Sequence, residues 1–598
     1  MFQEITRRAF GANTALVTAG LALSCGRSRD RPNIVWLIGE DISTDLGCYG
    51  NPAVQTPNLD RIAAEGIRFT RAYTTGAICS PSRSAIATGM YQTSLDAHHH
   101  RSHRDDGRRL PDGVRVFTYY LREAGYHTSN VLNAVPGVAG GKTDFNFTVE
   151  KPFDGTDWSQ RRQGQPFYAQ INFSETHRAF RRFAERPIDP GAVRLPPSFP
   201  DHPVVREDWR MYLETMQHLD VKVGKVIERL KQENLLDDTI VFFFGDNGRP
   251  FPRGKGWLFE GGIRVPLMAL FPERFRPEGA KPGSVREDLV SMIDITATSL
   301  ALAGIEPPPH MHGRPIFGAS VKPRDHIVAA MDRYDETMDR VRCVRAQRFK
   351  YLRNFHPERP YRQSNVDLDT TNPTLRVMRE LHAIGKLTPE QAHFMAARRP
   401  EEELYDLEAD PHELKNLAAS QEHEATLQEM RATLGGWIKQ TGDQGEKPEQ
   451  QSPQQDYRGY RVRHVDEWCT RDCFLSKANG VMRVEFSEKP NRHRVMRGII
   501  AEGGAMELRF RARSRSAGAV TFTWGTVLAP ADPANVVAVN LVTDGSWRQY
   551  AIPFQTEGTL TLLAFDIGRG EGAIEFDWIS LLRNGRGEKQ PVIEWTFA

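Results

Sequence analysis

The chain lacks long hydrophobic runs. The apolar stretch at residues 15–23 is too short to cross a bilayer, and no later stretch approaches about 18 consecutive apolar residues. We therefore expect no transmembrane segment. An excess of one charge is also lacking, because 78 Lys and Arg stand against 76 Asp and Glu. We expect no nucleic-acid partner, and an anionic ligand would need a local cluster of basic side chains.

Cysteine is scarce, with six in 598 residues, which excludes a small scaffold held together by disulfides. Cys469 and Cys473 are close enough along the chain to pair in an oxidising compartment. Their spacing also suits a metal site, but no second cysteine pair accompanies them, so we do not expect zinc there.

The N-terminus has the pattern of an export signal. Two arginines at positions 7 and 8 precede the short apolar stretch, and small residues follow it. This order predicts a twin-arginine-type signal peptide at residues 1–28 and a periplasmic or secreted protein. Cys25 is a candidate lipid anchor, although residues 22–24 match the lipoprotein pattern imperfectly.

From residue 31 onward, predicted strands and helices alternate. Apolar runs predict strands at 33–38, 167–173 and 239–244, and helical periodicity predicts helices at 57–66, 116–125, 208–234 and 292–303. Such alternation is typical of a mainly parallel sheet sandwiched by helices on both faces. Three segments that follow strands are polar, at 39–41, 174–177 and 245–247. In open α/β sheets ligands bind beyond the carboxyl ends of strands, so we expect these segments to share a site.

Two of these strand ends carry oxygen donors. Glu40 and Asp41 follow the first strand, and Asp246 and Asn247 follow the third. Carboxylate and amide oxygens are the ligands that calcium prefers. The same residue types also cap helices and form turns, which is the alternative interpretation.

The C-terminal region has a different pattern. A polar stretch at 441–456 is predicted to be a linker, and beyond it apolar residues alternate with period two. Residues 457–598 are therefore predicted to form an all-β sandwich. The region resembles jelly-roll modules appended to secreted glycan enzymes, which implies either carbohydrate binding or packing on the preceding domain. Its aromatic residues either stack on sugars or fill the core: Trp524, Trp547, Tyr550 and Trp578.

One motif directs the functional interpretation. Residues 79–83 read CSPSR, and 87–89 read ATG. A cysteine before a Pro-Ser turn also fits a plain buried thiol. The motif nevertheless resembles the C-x-P-S-R…T-G signature of the type I, formylglycine-dependent sulfatases of the alkaline phosphatase superfamily. In that family the cysteine becomes formylglycine, whose hydrate attacks sulfur with one hydroxyl and expels sulfate with the other.

Further segments carry the same resemblance, at 31–34, 47–50, 56–60, 243–248, 255, 260–266, 403–407 and 410–417. It implies an alkaline-phosphatase-like catalytic domain at 29–440. It also implies a formylglycine-generating or sulfatase-maturing enzyme as a partner. The implied calcium ligands are Glu40, Asp41, Asp246, Asn247 and the oxidised Cys79. The implied catalytic residues are Cys79, Arg83, Lys142, His177 and Lys255.

Within the family, the chain most resembles the sulfamidase (heparan N-sulfatase) branch. Segments 90–104, 175–178 and 246–252 carry this resemblance. That likeness implies a sulfated carbohydrate substrate, carrying sulfate ester or sulfamate. It also implies a pocket lined by the substrate-binding residues His99, His100, Arg178 and Arg249.

The chain departs from the family at two places. Glu40 stands where an aspartate is usual, and Asp144 stands where a histidine usually follows Lys142. A histidine from 98–100 or His103 can take that place. Two alternatives stay open: a phosphatase or phosphotransferase of the same superfamily, and a non-catalytic glycan-binding protein with a degenerate sulfatase domain.

Overall fold

The computed structural model describes residues 31–103, 106–138, 140–318, 321–447, 464–487, 493–530, 532–568, 570–584 and 589–597. The predicted signal peptide, with Cys25, and most of the predicted linker lie outside these ranges. Within them, every helix is too short or too polar to span a bilayer.

An eight-stranded mixed sheet forms the centre of the N-terminal region, in the order β3-β4-β1-β5-β6-β2-β7, with β8 paired to β2. Its strands are β1 (Asn33–Gly39), β2 (Ile67–Tyr73), β3 (His127–Asn130), β4 (Phe167–Phe173), β5 (Thr239–Gly245), β6 (Arg264–Leu270), β7 (Ser284–Arg286) and β8 (Val290–Ser291). Strands β3, β4, β1 and β5 are parallel. β1, β4 and β5 are buried along their whole length, as expected where helices cover both faces.

The helices are α1 (Pro57–Glu65), α2 (Cys79–Thr88), α3 (Phe117–Glu123), α4 (Pro203–Gln232), α5 (Glu260–Ile263), α6 (Ile293–Leu302), α7 (Val366–Thr371), α8 (Pro373–Ala383), α9 (Pro389–Ala392) and α10 (Glu424–Thr441). Alternate residues of β1 enter two cores. Val35 and Leu37 pack with α4, whereas Trp36 packs with α3 and α6. The predicted helix-covered sheet is thus confirmed. α4 begins earlier than predicted because Pro203 occupies its first turn and His202 caps it.

A smaller antiparallel sheet follows, in the order β12-β11-β10-β9. Its strands are β9 (His326–Met331), β10 (Val341–Ala346), β11 (Phe349–Asn354) and β12 (Glu402–Asp406). One face packs on α10 through Val344, Tyr351 and Leu434. The loop between β9 and β10 reaches back to the carboxyl edge of the first sheet, where it meets the site described below.

The C-terminal region consists of two antiparallel sheets, as predicted. The strands are β13 (His464–Val465), β14 (Trp468–Arg471), β15 (Phe474–Ala478), β16 (Val481–Phe486), β17 (His493–Ala501), β18 (Gly504–Ser514), β19 (Ala519–Thr526), β20 (Val536–Asn540), β21 (Arg548–Thr556), β22 (Leu560–Ile567), β23 (Gly572–Asn584) and β24 (Lys589–Thr596). The first sheet runs β13-β14-β17-β22-β19-β20, and the second runs β15-β16-β23-β18-β21 with β24 beside β23.

The two sheets enclose one apolar core. Phe522 and Phe565 of the first sheet meet Phe510 and Phe576 of the second. The cysteines Cys469 and Cys473 are free. Cys469 faces α7, with Met496 and Ala564, whereas Cys473 belongs to the sandwich core. Their side chains therefore lie on opposite sides of the sheet, and no disulfide joins them.

Helices α7 and α8 connect the two regions. Arg376 of α8 pairs with Glu467 at 2.7 Å, and Arg497 of β17 pairs with the same carboxylate at 2.8 Å. Val366 of α7 packs on the outer face of the first C-terminal sheet. Helix α7 thus covers one part of that face.

Candidate active site

The site begins where β1 and β5 end. Gly39 and Gly245 are paired in register, so the residues that follow them are neighbours. The Asp41 amide donates to the Asp246 carboxylate at 3.0 Å, and the Asn247 amide group donates to the Asp41 carboxylate at 3.0 Å. Asp41 has a φ of 49°, a conformation that costs energy outside glycine and is most often kept where function needs it. The two predicted strand ends thus form one buried cluster of oxygens.

Helix α2 directs the CSPSR motif into this cluster. Cys79 is its first residue, and Arg83 lies one turn further on the same face. The Arg83 guanidinium donates to Asp246 at 2.8 Å and to Asn172 at 2.6 Å. Burial alone would lower the pKa of Arg83, but the carboxylates of Asp246 and Glu40 outweigh it and raise the pKa. Arg83 is therefore a permanent cation that holds the helix start against the oxygen cluster.

Two lysines meet the other carboxylates. Lys255 contacts Asp41 at 2.8 Å, and Lys142 contacts Glu40 at 2.9 Å. Burial would raise the pKa of Asp41, yet Lys255 and His177 hold it well below its usual range. Burial would lower the pKa of Lys255, and Asp41 raises it well above the ordinary value instead. The Asp41–Lys255 pair is thus ionised at neutral pH.

His177 lies at the mouth of the pocket. Its Nδ1 is 2.6 Å from the Arg178 carbonyl, so Nδ1 carries the proton and donates it. Its Nε2 faces Lys255 at 3.4 Å and the Asp41 carboxylate at 3.7 Å. The side chain of His177 is 32% exposed and that of Lys142 is 27% exposed, whereas Cys79 is only 1% exposed. His177 and Lys142 are therefore the solvent-accessible side chains of this otherwise buried group.

A histidine occupies the space beside Cys79. His100 Nε2 lies 3.8 Å from the Cys79 sulfur, and its Nδ1 lies 2.8 Å from the Asp335 carboxylate. Burial is the largest influence on the His100 pKa and lowers it to about 4, against the opposing effect of Asp335. The neutral ring therefore turns Nε2 toward residue 79. The sequence placed His100 among the substrate-binding residues, and in the structure it borders Cys79, the predicted nucleophile.

The other residues predicted to bind substrate lie differently. The Arg178 guanidinium donates to both carboxylate oxygens of Asp208, each at 2.8 Å. Arg249 pairs with Asp45 at 3.0 Å. His99 is buried, with its ring 4.3 Å from that of His98. The structure thus brings His100 next to Cys79, whereas Arg178 and Arg249 are paired with carboxylates and His99 packs against His98.

Sequence reasoning missed two residues. Asn172, near the end of β4, accepts from Arg83, and the strand-end rule that found 174–177 could have included it. Asp335 comes from the loop between β9 and β10, and nothing in its local sequence marks it. Asp144, which replaces the expected histidine, has a φ of 58° and pairs with Lys142 at 3.6 Å.

The donor atoms fit a calcium ion. Asn247 Oδ1 is buried and has no hydrogen-bond partner among the described residues. It lies within a set whose other members are three carboxylates, and calcium binds such all-oxygen sets. Within the described ranges, no three His, Cys, Asp or Glu side chains form a metal-binding group by themselves. The amide of Asn247 is the additional donor, and the set contains no nitrogen or sulfur ligand of the kind zinc favours.

Comparison with known proteins agrees with this geometry. The family model Sulfatase matches residues 32–148 and 150–305. A curated relative from Formosa agariphila, described as an ulvan-active sulfatase, is 33% identical over 504 residues, which cover 75% of this chain and 81% of the relative. The chain belongs to the sulfatase family. This sulfatase is a sulfuric ester hydrolase, and the expected fold is confirmed.

More distant matches give this sulfatase a place within the family. A model for the C-terminal part of N-sulphoglucosamine sulphohydrolase matches residues 253–370. The human enzyme of that name is 28% identical over 485 residues, covering 71% of this chain and 93% of the human one. The predicted likeness to the sulfamidase branch is thereby confirmed. A structure solved in complex with its substrate, D-glucosamine-2-N,6-O-disulfate, covers 70% of this chain and 100% of its own at TM-score 0.51 and 19% identity, which shows the fold alone.

Proposed function

We propose that this sulfatase hydrolyses sulfate ester or sulfamate groups of sulfated glycans, with a formylglycine formed from Cys79 and a bound calcium ion. One observation carries the proposal. Cys79, Arg83, an all-oxygen donor set and two lysines lie in one largely buried cluster, and His177 stands at its partly exposed edge. A neutral or apolar substrate gives no reason for so many buried charges.

Glu40, Asp41, Asp246 and Asn247 would hold the calcium ion, together with the modified residue 79. When bound, the ion neutralises negative charge and lowers the pKa of a hydroxyl next to it. The donor chemistry supports calcium over zinc, and with it a sulfatase over the phosphatase alternative.

The chain's own residues supply the remaining chemistry. Lys255 and Lys142 bind the sulfate oxygens and stabilise a group that stays anionic throughout the reaction. Arg83 orients the start of α2, so that residue 79 points at the substrate. Nε2 of His177 is the ring nitrogen that meets the departing oxygen or nitrogen, because Nδ1 is committed to the Arg178 carbonyl. The doubly protonated ring would give its Nε2 proton to that atom. Histidine is the side chain suited to proton exchange near neutral pH.

His100 orients residue 79 from the opposite side to Arg83. Asp335 keeps the proton of His100 on Nδ1, which leaves Nε2 as an acceptor for a hydroxyl of residue 79. A histidine from the 98–103 segment thus takes the place of the one that Asp144 replaces.

The glycan assignment is supported by the relatives. They are described as ulvan-active sulfatase, N-sulphoglucosamine sulphohydrolase and N-acetylgalactosamine-6-sulfatase, and each description names a carbohydrate. We further propose export through residues 1–28 to the periplasm or the medium, with maturation by a formylglycine-generating or sulfatase-maturing enzyme. A catalytic domain at 29–440, a linker at 441–456 and a β-sandwich domain at 457–598 complete the proposal.

The test uses the full chain, co-expressed with a maturing enzyme and incubated with defined saccharides that carry either O-sulfate or N-sulfate. Mass spectrometry of the peptide that contains residue 79 reports the aldehyde, and ion chromatography reports released sulfate. Sulfate release from at least one saccharide supports the proposal. Absence of release by protein that carries the aldehyde overturns it. Phosphate release with zinc, or glycan affinity with an unmodified thiol and no turnover, would instead favour the two alternatives.

A further inference from the structure

The first C-terminal sheet and α7 meet backbone to backbone at Gly498 of β17. A Cβ atom at this position would lie 2.2 Å from the Asp369 carbonyl oxygen, which is too close for any side chain unless the backbone moves. Glycine inside a strand often marks a place where another backbone approaches closely. Val366 packs on the same face of the sheet against Met496 and Ala564. The sheet therefore supports α7 directly.

The start of α7 holds the loop between β9 and β10. Asn365, which caps the helix, donates from its side chain to the Tyr334 carbonyl at 3.1 Å. The Val366 amide donates to the Glu336 carboxylate at 2.6 Å. The Tyr334 hydroxyl donates to the Asp367 carboxylate at 3.1 Å. Three successive residues of the α7 segment thus contact a single turn of the loop.

That turn is part of the active site. It carries Asp335, whose carboxylate lies 2.8 Å from Nδ1 of His100. Asp335 has a φ of 46°, and such a conformation persists only where its surroundings enforce it. The Tyr334 ring lies 5.5 Å from the His100 ring. A Cβ atom at Gly256, the residue after Lys255, would lie 2.6 Å from the Tyr334 ring. The turn is therefore tightly fitted between two parts of the site.

The end of α7 contacts the segment that carries His177. The Thr371 carbonyl accepts from the Arg178 guanidinium at 3.0 Å, and the Arg178 carbonyl accepts from His177 Nδ1 at 2.6 Å. Carbonyls at a helix end lack a partner inside the helix, so the guanidinium satisfies one of them. Helix α7 is thus held at both ends by segments of the active site and on one side by the C-terminal sheet.

We infer that the C-terminal sheet positions the active site. By supporting α7 it holds Asp335, and through Asp335 it holds the His100 ring beside residue 79. Gly498 and Val366 are positioning residues, because they act on His100 only through α7 and the turn. A displacement of about 1 Å in a catalytic arrangement can cost roughly a hundredfold in rate. The effect on catalysis rests on the proposed function, whereas the structural connection does not.

The experiment compares Gly498→Ala with Gly518→Ala in the full chain. The first variant drives a methyl group against the Asp369 carbonyl. Gly518 precedes β19 of the same sheet, and a Cβ atom there would meet its nearest non-adjacent atom at 3.9 Å, so this variant is the matched control. Val366→Ala shortens a side chain in the same contact and is the second variant if Gly498→Ala fails to fold.

Two measurements are made on each protein. Hydrogen–deuterium exchange of peptides that cover 332–340 reports local opening of the turn. Sulfate release from the saccharide that the wild type hydrolyses fastest gives kcat and KM. Mass spectrometry of the peptide with residue 79 shows that all proteins carry equal amounts of aldehyde.

We expect faster exchange at 332–340 in Gly498→Ala and wild-type exchange in Gly518→Ala. The kcat of Gly498→Ala should fall about tenfold with KM changed less than about twofold, because His100 borders residue 79. Once Asp335→Ala has removed the carboxylate that α7 positions, Gly498→Ala should lower kcat by no more than about a further twofold.

Unchanged exchange at 332–340 in folded Gly498→Ala overturns the inference, whether or not the chain has sulfatase activity. An equal fall of kcat with and without Asp335→Ala also overturns it, because the substitution would then act elsewhere. If the wild type carries the aldehyde and releases no sulfate, the proposed function fails, and the exchange measurement alone decides the inference.

Discussion

Two buried arginine–carboxylate contacts lie near each other and differ in how completely they are satisfied. In the first, Arg83 holds Asp246 in the active site. In the second, Arg178 holds Asp208 and also donates to the Thr371 and Pro250 carbonyls. Thr374 donates to the same Asp208 carboxylate at 2.6 Å. We call this second group the Arg178 clamp.

The clamp uses its hydrogen-bonding capacity on protein groups, and its guanidinium also stacks on Phe180 and Phe251 at 4.4 and 4.7 Å. The active-site cluster does not: Arg83 Nη2 and Asn247 Oδ1 have no hydrogen-bond partner among the described residues. Buried polar groups are usually satisfied. An incompletely satisfied cluster therefore indicates a place for a ligand, and a satisfied one indicates a structural role. Substrate binding by Arg178 stays a prediction that the comparison makes testable.

The largest effect is expected at Cys79, the proposed nucleophile. Cys79→Ala should lower kcat by about ten-thousandfold or more, because residues that act as one catalytic unit fail together, with little change in the free energy of unfolding. Cys343→Ala is the control, since burial raises the pKa of that thiol to about 12 and makes it unreactive. Sulfate release by purified enzyme measures both. Undiminished turnover by Cys79→Ala would rule out the proposed nucleophile.

Substitution in the Arg178 clamp should lower the free energy of unfolding, whereas substitution of Cys79 should lower turnover. Arg178→Met leaves the Asp208 carboxylate buried without its counter-charge, so the free energy of unfolding should fall by about 3–5 kcal/mol. Urea unfolding measures it. Arg206→Met removes a solvent-exposed pair with Asp201 and should leave the free energy of unfolding nearly unchanged. If Arg178→Met keeps full stability but raises KM strongly, the residue binds substrate and the comparison fails.

Calcium should raise the free energy of unfolding only by binding to the cluster that contains Asn247 and Asp246. At about 100 times its dissociation constant, calcium should add about 2.7 kcal/mol to the stability of the wild-type chain. Asn247→Ala removes the Oδ1 atom that has no hydrogen-bond partner among the described residues. This variant should lose most of the calcium-dependent increase in stability. The Arg178→Met variant should show the same calcium-dependent increase in stability as the wild type, although it is less stable without calcium. Thermal unfolding with calcium and with chelator measures the three proteins. An equal gain in Asn247→Ala would place the ion elsewhere.

A smaller effect concerns acid stability. The His100 pKa is lowered to about 4, whereas an unfolded histidine titrates near 6.5. Between these values the unfolded chain binds the extra proton, so stability is complete above about pH 6.5 and falls as the pH drops toward 4. Between pH 6.5 and 4 the wild-type chain should lose up to about 3 kcal/mol more of its free energy of unfolding than the His100→Gln variant. Parallel pH profiles of the two proteins in urea unfolding would contradict the assignment.

The sequence predicted which residues lie close together where their proximity follows from the geometry of one helix or of paired strands. The spacing of Cys79 and Arg83 is one helical turn, so any helix there brings them together. Glu40, Asp41 and Asp246 follow apolar strands that pair in parallel, so their meeting follows from the sheet. Asp335 comes from a loop in another sheet, and no periodicity connects it to His100. The same limit applies to Arg178, because no local pattern shows that the Asp208 carboxylate lies against its guanidinium.

The sequence by itself therefore determined the family, the helix-covered sheet, the β-sandwich and the set of residues at the strand ends, because these depend on motifs and short-range patterns. Only the tertiary structure decided which charges are already neutralised and which are left for a ligand. That choice depends on distances between segments far apart in the chain. Hydrogen bonds and ion pairs act over a few ångströms, and only the folded chain sets which groups come that close.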